Sequence, residues 1–364
     1  MKDTTSDGLS FDTDARRTNP CDSGHRGARF KVGWAKAVRG VNYGEKALGR
    51  LTWDNLGWRL GKLLGPASRE TVECMCQLCV KQQAEAAPQV HAVSWNLKYP
   101  GAGRAGRLAR RVAALDWDVF LLQEVSRHAR DALKAEVAPR SSAFGIDWLS
   151  RPRGWAHGAA ILTRGDFTIV DAEPVRDLPR YERGVGAVIQ SPDGMEFRAI
   201  SWHAPNAAGQ GAEYKMAGYT GIISYLEGLA GPVIFGFDGN HWNLETGLQP
   251  RPPPELGSDD WYLENLFFSN EPPHGLRDGY LDYLAHNPHE YALALKERPE
   301  GPLAVTYVRG SKKRPQPDRF DYVFVSEHFS VERVAHDYEA AVEAGSDHAT
   351  VRVDLRLHPM GGLK

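Results

Sequence analysis

The chain has 364 residues, 42% apolar and 25% charged, with a net charge of −2. This is an ordinary globular balance whose overall charge announces no polyanionic partner. Four cysteines at this length exclude a disulfide scaffold.

Residues 1–29 are polar, mixed in charge and without periodicity, which predicts a flexible leader. The segment has no apolar stretch of the kind a secretory signal carries. No later apolar run approaches the ~18 residues of a membrane span. A cytoplasmic, monomeric protein off the membrane is the expectation. Charge is uneven: residues 15–65 hold 11 Lys and Arg against 3 Asp and Glu. Such a basic arm beside an acidic body suits a phosphate-rich partner. Residues 30–88 read as a small helical region. Trp53, Leu56, Leu60, Leu63 and Leu64 recur at helical spacing up to Gly65-Pro66, and Ser68 caps a second helix. Cys74, Cys76 and Cys79 fall on that second helix. Cys76 and Cys79 extend its apolar stripe, so the spacing favours buried thiols over a zinc knuckle.

From residue 89 the texture changes to a catalytic-type domain over 89–364. HAVSWNLK, DVFLLQE, HGAAILTR, GVGAVIQS, EFRAISWHAP, PVIFGFD, RFDYVFVS and HATVRVDL read as strands. RAGRLARRVAAL and AEYKMAGYTGIISYLEGL read as helices, and 241–302 as a loop-rich stretch. Helices interleave with strands, yet hairpin-like pairs are present, which predicts a mixed α/β sandwich over a parallel doubly wound sheet.

Polar residues cluster where these strands end: Asn96, Glu124, His203, Asp238 with Asn240, Asp321, and Asp347 with His348. Glu124 follows four apolar residues, and a carboxylate there needs a partner. A hard cation such as Mg²⁺, which takes one or two carboxylates plus waters and phosphate oxygens, is an obvious one.

This ordered set resembles the endonuclease/exonuclease/phosphatase superfamily of metal-dependent phosphoesterases, over about residues 90–358. The resemblance implies a four-layered α/β sandwich, two packed mixed β-sheets flanked by helices. It implies metal ligation by Glu124 with Asn96 beside it, and a phosphate contact at His203. Asp238 and Asn240 match the pair at the attacking water, Asp321 the carboxylate that orients the last histidine, and Asp347 and His348 the terminal pair. Two departures stand out. The family pattern Gly-Asp-hydrophobe-Asn reads here Gly236-Phe237-Asp238-Gly239-Asn240. After Asn96 comes Leu97-Lys98, without the nearby acidic residue that some nucleases of the family carry, and this leaves the number of metal ions open.

These residue types allow phosphodiester hydrolysis. His348 can accept a proton from water, with Asp321 fixing its tautomer. A metal ion (Mg²⁺ or Mn²⁺) at Glu124, with Asp347 near it, can neutralise developing charge. His203 and Asn240 can donate to phosphoryl oxygens. Arg183, ahead of the Gly184 strand, and Trp242, a loop tryptophan able to stack on a base as Trp155 could, are candidate substrate contacts. Arg104, Arg107, Arg110 and Arg111 could track a phosphate backbone, although a solvated helix face is the preferred reading. Lys312, Lys313 and Arg314 could form a basic rim, and His157 reads as a turn residue. The favoured function is a nuclease acting on DNA or RNA. The alternative is a small-molecule or lipid phosphoesterase on the same scaffold.

Overall fold

Two six-stranded sheets pack face to face in the computed structural model, which describes residues 88–150, 156–241, 262–311 and 313–358. The first sheet takes β1 (Gln89–Asn96), β2 (Val119–Ser126), β3 (Ser141–Phe144), β4 (His157–Thr163), β13 (Phe329–Asp337) and β14 (Thr350–Leu357), side by side as β13-β14-β1-β2-β4-β3. The second takes β5 (Thr168–Pro174), β6 (Gly184–Gln190), β7 (Glu196–His203), β8 (Val233–Asp238), β9 (Arg277–Asp278) and β12 (Asp321–Val325), as β5-β6-β7-β8-β12-β9. A separate hairpin is made by β10 (Tyr307–Ser311) and β11 (Arg314–Asp318).

Each large sheet contains one parallel pair, β1 with β2 and β7 with β8, and is otherwise antiparallel. A parallel pair needs a crossover, and each has a helix in it. The helices are α1 (Ala102–Ala114) between β1 and β2, and α4 (Ala212–Glu227) between β7 and β8. On α1, Ala105, Leu108, Ala109 and Val112 are the buried residues, one stripe at helical spacing. Ser126 caps α2 (Arg127–Glu136) by accepting the Ala129 N–H at 3.2 Å.

Strand β8 shows how one sequence serves two interfaces. Ile234 faces the seam between the sheets, while Phe235 and Phe237 face the helices outside. Both faces are buried, so the strand reads as a continuous apolar run. The seam is filled by Val90, Leu121, Ile161, Val185, Phe197, Ile234 and Leu355, among others. The outer face of the first sheet packs under α1, α2 and α8 (Tyr338–Ala344). The outer face of the second packs under α4 and α5 (Tyr262–Phe267), through an aromatic cluster of Trp202, Tyr219, Phe235, Phe237 and Phe267. The order helix, sheet, sheet, helix is the expected four-layered sandwich.

Some expectations change. The described part of 241–302 is not loop: it holds α5, β9, α6 (Gly279–His286) and α7 (Pro288–Glu297). These helices are short, and Leu284 and Ala294 form a small buried cluster with Leu303, so local periodicity is weak. The arginines of α1 do not form a free phosphate track. Arg104 and Arg107 donate to the carbonyls of Gly345 and Ala344 at 2.7 and 2.9 Å, and Arg111 pairs with Asp337 at 2.5 Å. The leader, the helical region with its cysteines, Trp155, Trp242 and Lys312 lie outside the described residues. No helix among the described residues is long and apolar enough to cross a membrane.

The two sheets approach closely at Gly236. A Cβ there would stand 2.5 Å from Leu121 Cδ1 and 2.9 Å from Ser94 Cβ. Gly236→Ala is expected to lower unfolding stability by about 1–3 kcal/mol through overpacking, read from denaturant melts.

Candidate active site

The carboxyl ends of the two parallel pairs meet at one end of the sandwich, which is where α/β sheets place their chemistry. Asn96 ends β1, His203 ends β7 and Asp238 ends β8, with His203 and Asp238 in register. Asp321 opens β12 directly opposite Asp238. Asp347 and His348 sit in the turn just before β14, two residues earlier than a strand start would put them. Beneath these groups Gln123 crosses the seam. Its Nε2 lies 3.2 Å from Ser94 Oγ on its own sheet, and 3.1 Å from Ser201 Oγ and 3.3 Å from the Gly236 carbonyl on the other.

Asp238 is the hub. Its Oδ2 accepts from Asn96 Nδ2 at 2.7 Å, across the two sheets. Its Oδ1 accepts the Asn240 N–H at 2.8 Å. Asn240 adopts a left-handed backbone (φ 45°), which turns its amide back so that Nδ2 donates to the Ala204 carbonyl at 2.8 Å and to His203 Nε2 at 3.0 Å. The Asp-x-Asn spacing therefore does join both side chains to one site, by a turn rather than by strand alternation. Lys215, buried behind this turn, donates to the Asn240 carbonyl at 2.9 Å and faces Glu264 at 3.4 Å. Burial pushes the Asp238 carboxyl above the usual carboxylate range, Asp321 adds to this, and His348 opposes it.

His348 hands Nδ1 to Asp321, 2.9 and 3.1 Å from its two oxygens, and turns Nε2 towards Asp238 Oδ2 at 3.9 Å. Burial disfavours the charged ring, but Asp321 and Asp238 outweigh it and raise its pKa. The pairing with Asp321 thus favours the protonated ring. His203 is the opposite case: burial and the cations around it, Arg183 first, hold it well below its ordinary value. Its Nε2 receives the Asn240 amide, and its Nδ1 has no hydrogen-bond partner.

Glu124 sits within β2 at a register break and in a left-handed backbone conformation (φ 53°). The break swings its carboxylate to the site, 3.5 Å from His203 Nε2. Burial raises its pKa, with His348 and Arg183 opposing. Asp347 Oδ1 is buried without a hydrogen-bond partner. Donor atoms of Glu124, His157 and His203 lie within 4.8 Å of one another, as do those of Asp238, Asp321 and His348.

Arg183 is at the site. It is 8% exposed, and its one side-chain hydrogen bond among the described residues runs to His157 Nε2 at 3.0 Å. His157 is therefore no turn residue: it opens β4, with its ring 6.1 Å from that of His203. The run HGAAILTR reads as a strand beginning at His157, but its place beside His203 comes from the packing of the two sheets. Tyr307 was also not foreseen. Its ring packs on His348 at 4.7 Å and on Phe320 at 5.0 Å, at the base of the β10–β11 hairpin. Of the rim cations, Lys313 and Arg314 are exposed on that hairpin.

Removing the Asp321 charge isolates its effect on the ring. In Asp321→Asn, the His348 imidazole is expected to titrate about 1–3 pH units lower than in the unaltered protein, the usual effect of an adjacent opposite charge. An NMR titration of its ring protons reads this directly; an unchanged midpoint would show that Asp321 does not set the proton on His348.

Comparison with known proteins agrees with this architecture. The model of the Endonuclease/Exonuclease/phosphatase family matches residues 93–348. No curated protein matches the chain. Among solved structures, an endonuclease/exonuclease/phosphatase from Bacteroides vulgatus is 16% identical with a TM-score of 0.51, covering 74% of this chain and 100% of its own. D. rerio TDP2, complexed with a single-strand DNA product, is 14% identical with a TM-score of 0.52, covering 74% and 99%. The human Nocturnin catalytic domain, with a bound sulfate anion, is 15% identical with a TM-score of 0.50, covering 76% and 99%. At these identities the solved structures speak for the fold, whereas the family match spans most of the chain. The chain belongs to the endonuclease/exonuclease/phosphatase family, whose members hydrolyse phosphoester bonds.

Proposed function

We propose that this protein is a divalent-metal-dependent nuclease that hydrolyses phosphodiester bonds of DNA or RNA by in-line attack of an activated water, within a catalytic domain over 89–364. The observation that carries this reading is the convergence of oxygen and imidazole groups from both sheets on Asp238.

Glu124, Asn96 and Asp347 fit a hard cation such as Mg²⁺ or Mn²⁺. Their donors are oxygens, Asp347 Oδ1 is buried without a hydrogen-bond partner, and burial has raised the pKa of the Glu124 carboxyl. When bound there, the ion supplies charge relief to phosphoryl oxygens. The chain's own residues do the rest. Asp238, held by Asn96 and Asn240, takes the proton of the attacking water, since its raised pKa makes it a usable base. His348, kept charged by Asp321, presents Nε2–H to the phosphoryl group. The Asn240 amide lies beside it, and His203 shapes the floor with its free Nδ1. Arg183 is a buried cation without a carboxylate partner among the described residues, and a phosphate oxygen satisfies it. Trp242 remains a candidate base-stacking contact.

Nucleic acid as substrate is supported by the exposed cations at the tip of the β10–β11 hairpin, whose base holds Tyr307, and by the basic balance of 15–65. It also draws on the single-strand DNA product bound to the D. rerio structure. A titration with Mg²⁺ and Mn²⁺ on plasmid DNA, an abasic oligonucleotide, RNA and a generic phosphodiester tests it. Cleavage of a nucleic acid is expected with metal and none with chelator. Glu124→Gln and Asp238→Asn are expected to lower the rate about 10²–10⁴-fold, as loss of electrostatic or acid–base groups does. Turnover of the small ester alone would favour the small-molecule phosphoesterase reading. Folded protein inactive on all four would reject catalysis.

A further inference from the structure

Lys98 brings a positive charge to the site that hydrolysis as outlined does not use. The chain turns sharply after Asn96: Lys98 and Tyr99 both take left-handed backbone, with φ 54° and 40°, uncommon for residues with side chains. The turn is fixed by several bonds. The Lys98 N–H donates to Asn96 Oδ1 at 2.8 Å. Arg104 donates through Nη2 to the Lys98 carbonyl at 3.0 Å and through Nη1 to the Gly345 carbonyl at 2.7 Å. Ser346 Oγ donates to the Asn96 carbonyl at 2.6 Å. One guanidinium and one hydroxyl thus tie the segment of Lys98 to the segment of Asp347. Held this way, Lys98 Nζ stands 2.7 Å from Asp347 Oδ2.

The carboxylate oxygens of the site can then be followed one by one. Asp238 gives Oδ1 to Asn240 and Oδ2 to Asn96. Asp321 gives both oxygens to His348. Asp347 gives Oδ2 to Lys98 and keeps Oδ1, which has no hydrogen-bond partner and lies 3.9 Å from His348 Nε2. Glu124, bonded to Asn96 and 3.5 Å from His203 Nε2, and Asp347 Oδ1 are the carboxylate groups left to face a cation. One or two carboxylates with waters and substrate oxygens make a complete site for one Mg²⁺. A second ion about 3.5–4 Å from the first, as in two-metal sites, would share Asp347 if it took the place beside this carboxylate where Lys98 stands. Asp347 Oδ2 is already covered by that ammonium, and like charges a few Å apart repel.

We propose that Lys98 is a tethered cation standing where a second divalent ion would bind, so that this site takes a single metal ion. Lys98 is a positioning residue: it aims Asp347 Oδ1 at the one ion and leaves its positive charge beside the phosphate. This rests on the metal-dependent reading above.

Mn²⁺ binding to the full chain tests it, by calorimetry and electron paramagnetic resonance, without any measurement of turnover. The ions that count are those lost in Glu124→Gln. The unaltered protein is expected to bind one such ion, with the signal of an isolated Mn²⁺. Lys98→Asp, checked for folding by circular dichroism, is expected to bind two with a spin-coupled signal, because both share Asp347. Two coupled ions in the unaltered protein would overturn the role of Lys98 and leave metal dependence standing. One ion in both proteins would also overturn it, since Lys98 would then exclude nothing. No ion lost in Glu124→Gln would overturn the metal reading itself, and this inference with it. The stoichiometry of the unaltered protein decides even where Lys98→Asp fails to fold.

Discussion

The close approach of the two sheets at Gly236 is the constraint on which the site depends. Glycine removes the Cβ that would strike Leu121 and Ser94. The gap is small enough for Gln123, from one sheet, to reach Ser201 and the Gly236 carbonyl of the other. One turn further along, the same spacing lets Asn96 donate to Asp238 at 2.7 Å. A wider seam would leave both amides buried without partners, which is costly. The polar plug and the reacting groups are thus successive layers of one interface: apolar side chains below, Gln123 and its partners above them, and Asp238 with its neighbours at the mouth.

The same geometry explains why so many charges can be buried together. Asp238, Asp321 and His348 are nearly or wholly inaccessible. Each carboxylate oxygen among these is committed to a named donor, and the cationic ring lies between two acids. Burial alone would neutralise such groups; paired burial keeps His348 charged and leaves Asp238 as the carboxyl whose proton affinity has risen. His348 and His203 are driven apart by their surroundings, His348 by two acids and His203 by its own burial and Arg183. Groups with separated proton affinities are what acid–base chemistry needs.

Most of the backbone strain falls at the same place. Of the five described non-glycine residues with positive φ, Ala138 follows α2, and Lys98, Tyr99, Glu124 and Asn240 gather here; three of these four are polar residues that turn a side chain towards the mouth. Such conformations persist when surrounding bonds over-determine them. At Asn240 the bonds are its own amide and Lys215; at Lys98 they are Asn96 and Arg104.

The sequence by itself determined the sandwich class, the strands that carry it and the strand-end residues, because strands buried on both faces stand out as apolar runs and a polar residue at their end is conspicuous. It also determined the order of the site groups, and with it the family resemblance. Only the tertiary structure decided which nitrogen of His348 meets Asp321, that Glu124 reaches the site through a break in register, and that His157 and Arg183 stand together beside His203. It also decided that Lys98 lies on Asp347, and that Arg104 and Arg107 of α1 are spent on backbone carbonyls and Arg111 on Asp337. These are contacts between segments far apart in the chain, or depend on a single backbone angle. Local pattern carries neither, because burial and pairing are properties of the assembled sheets and not of any one stretch of residues.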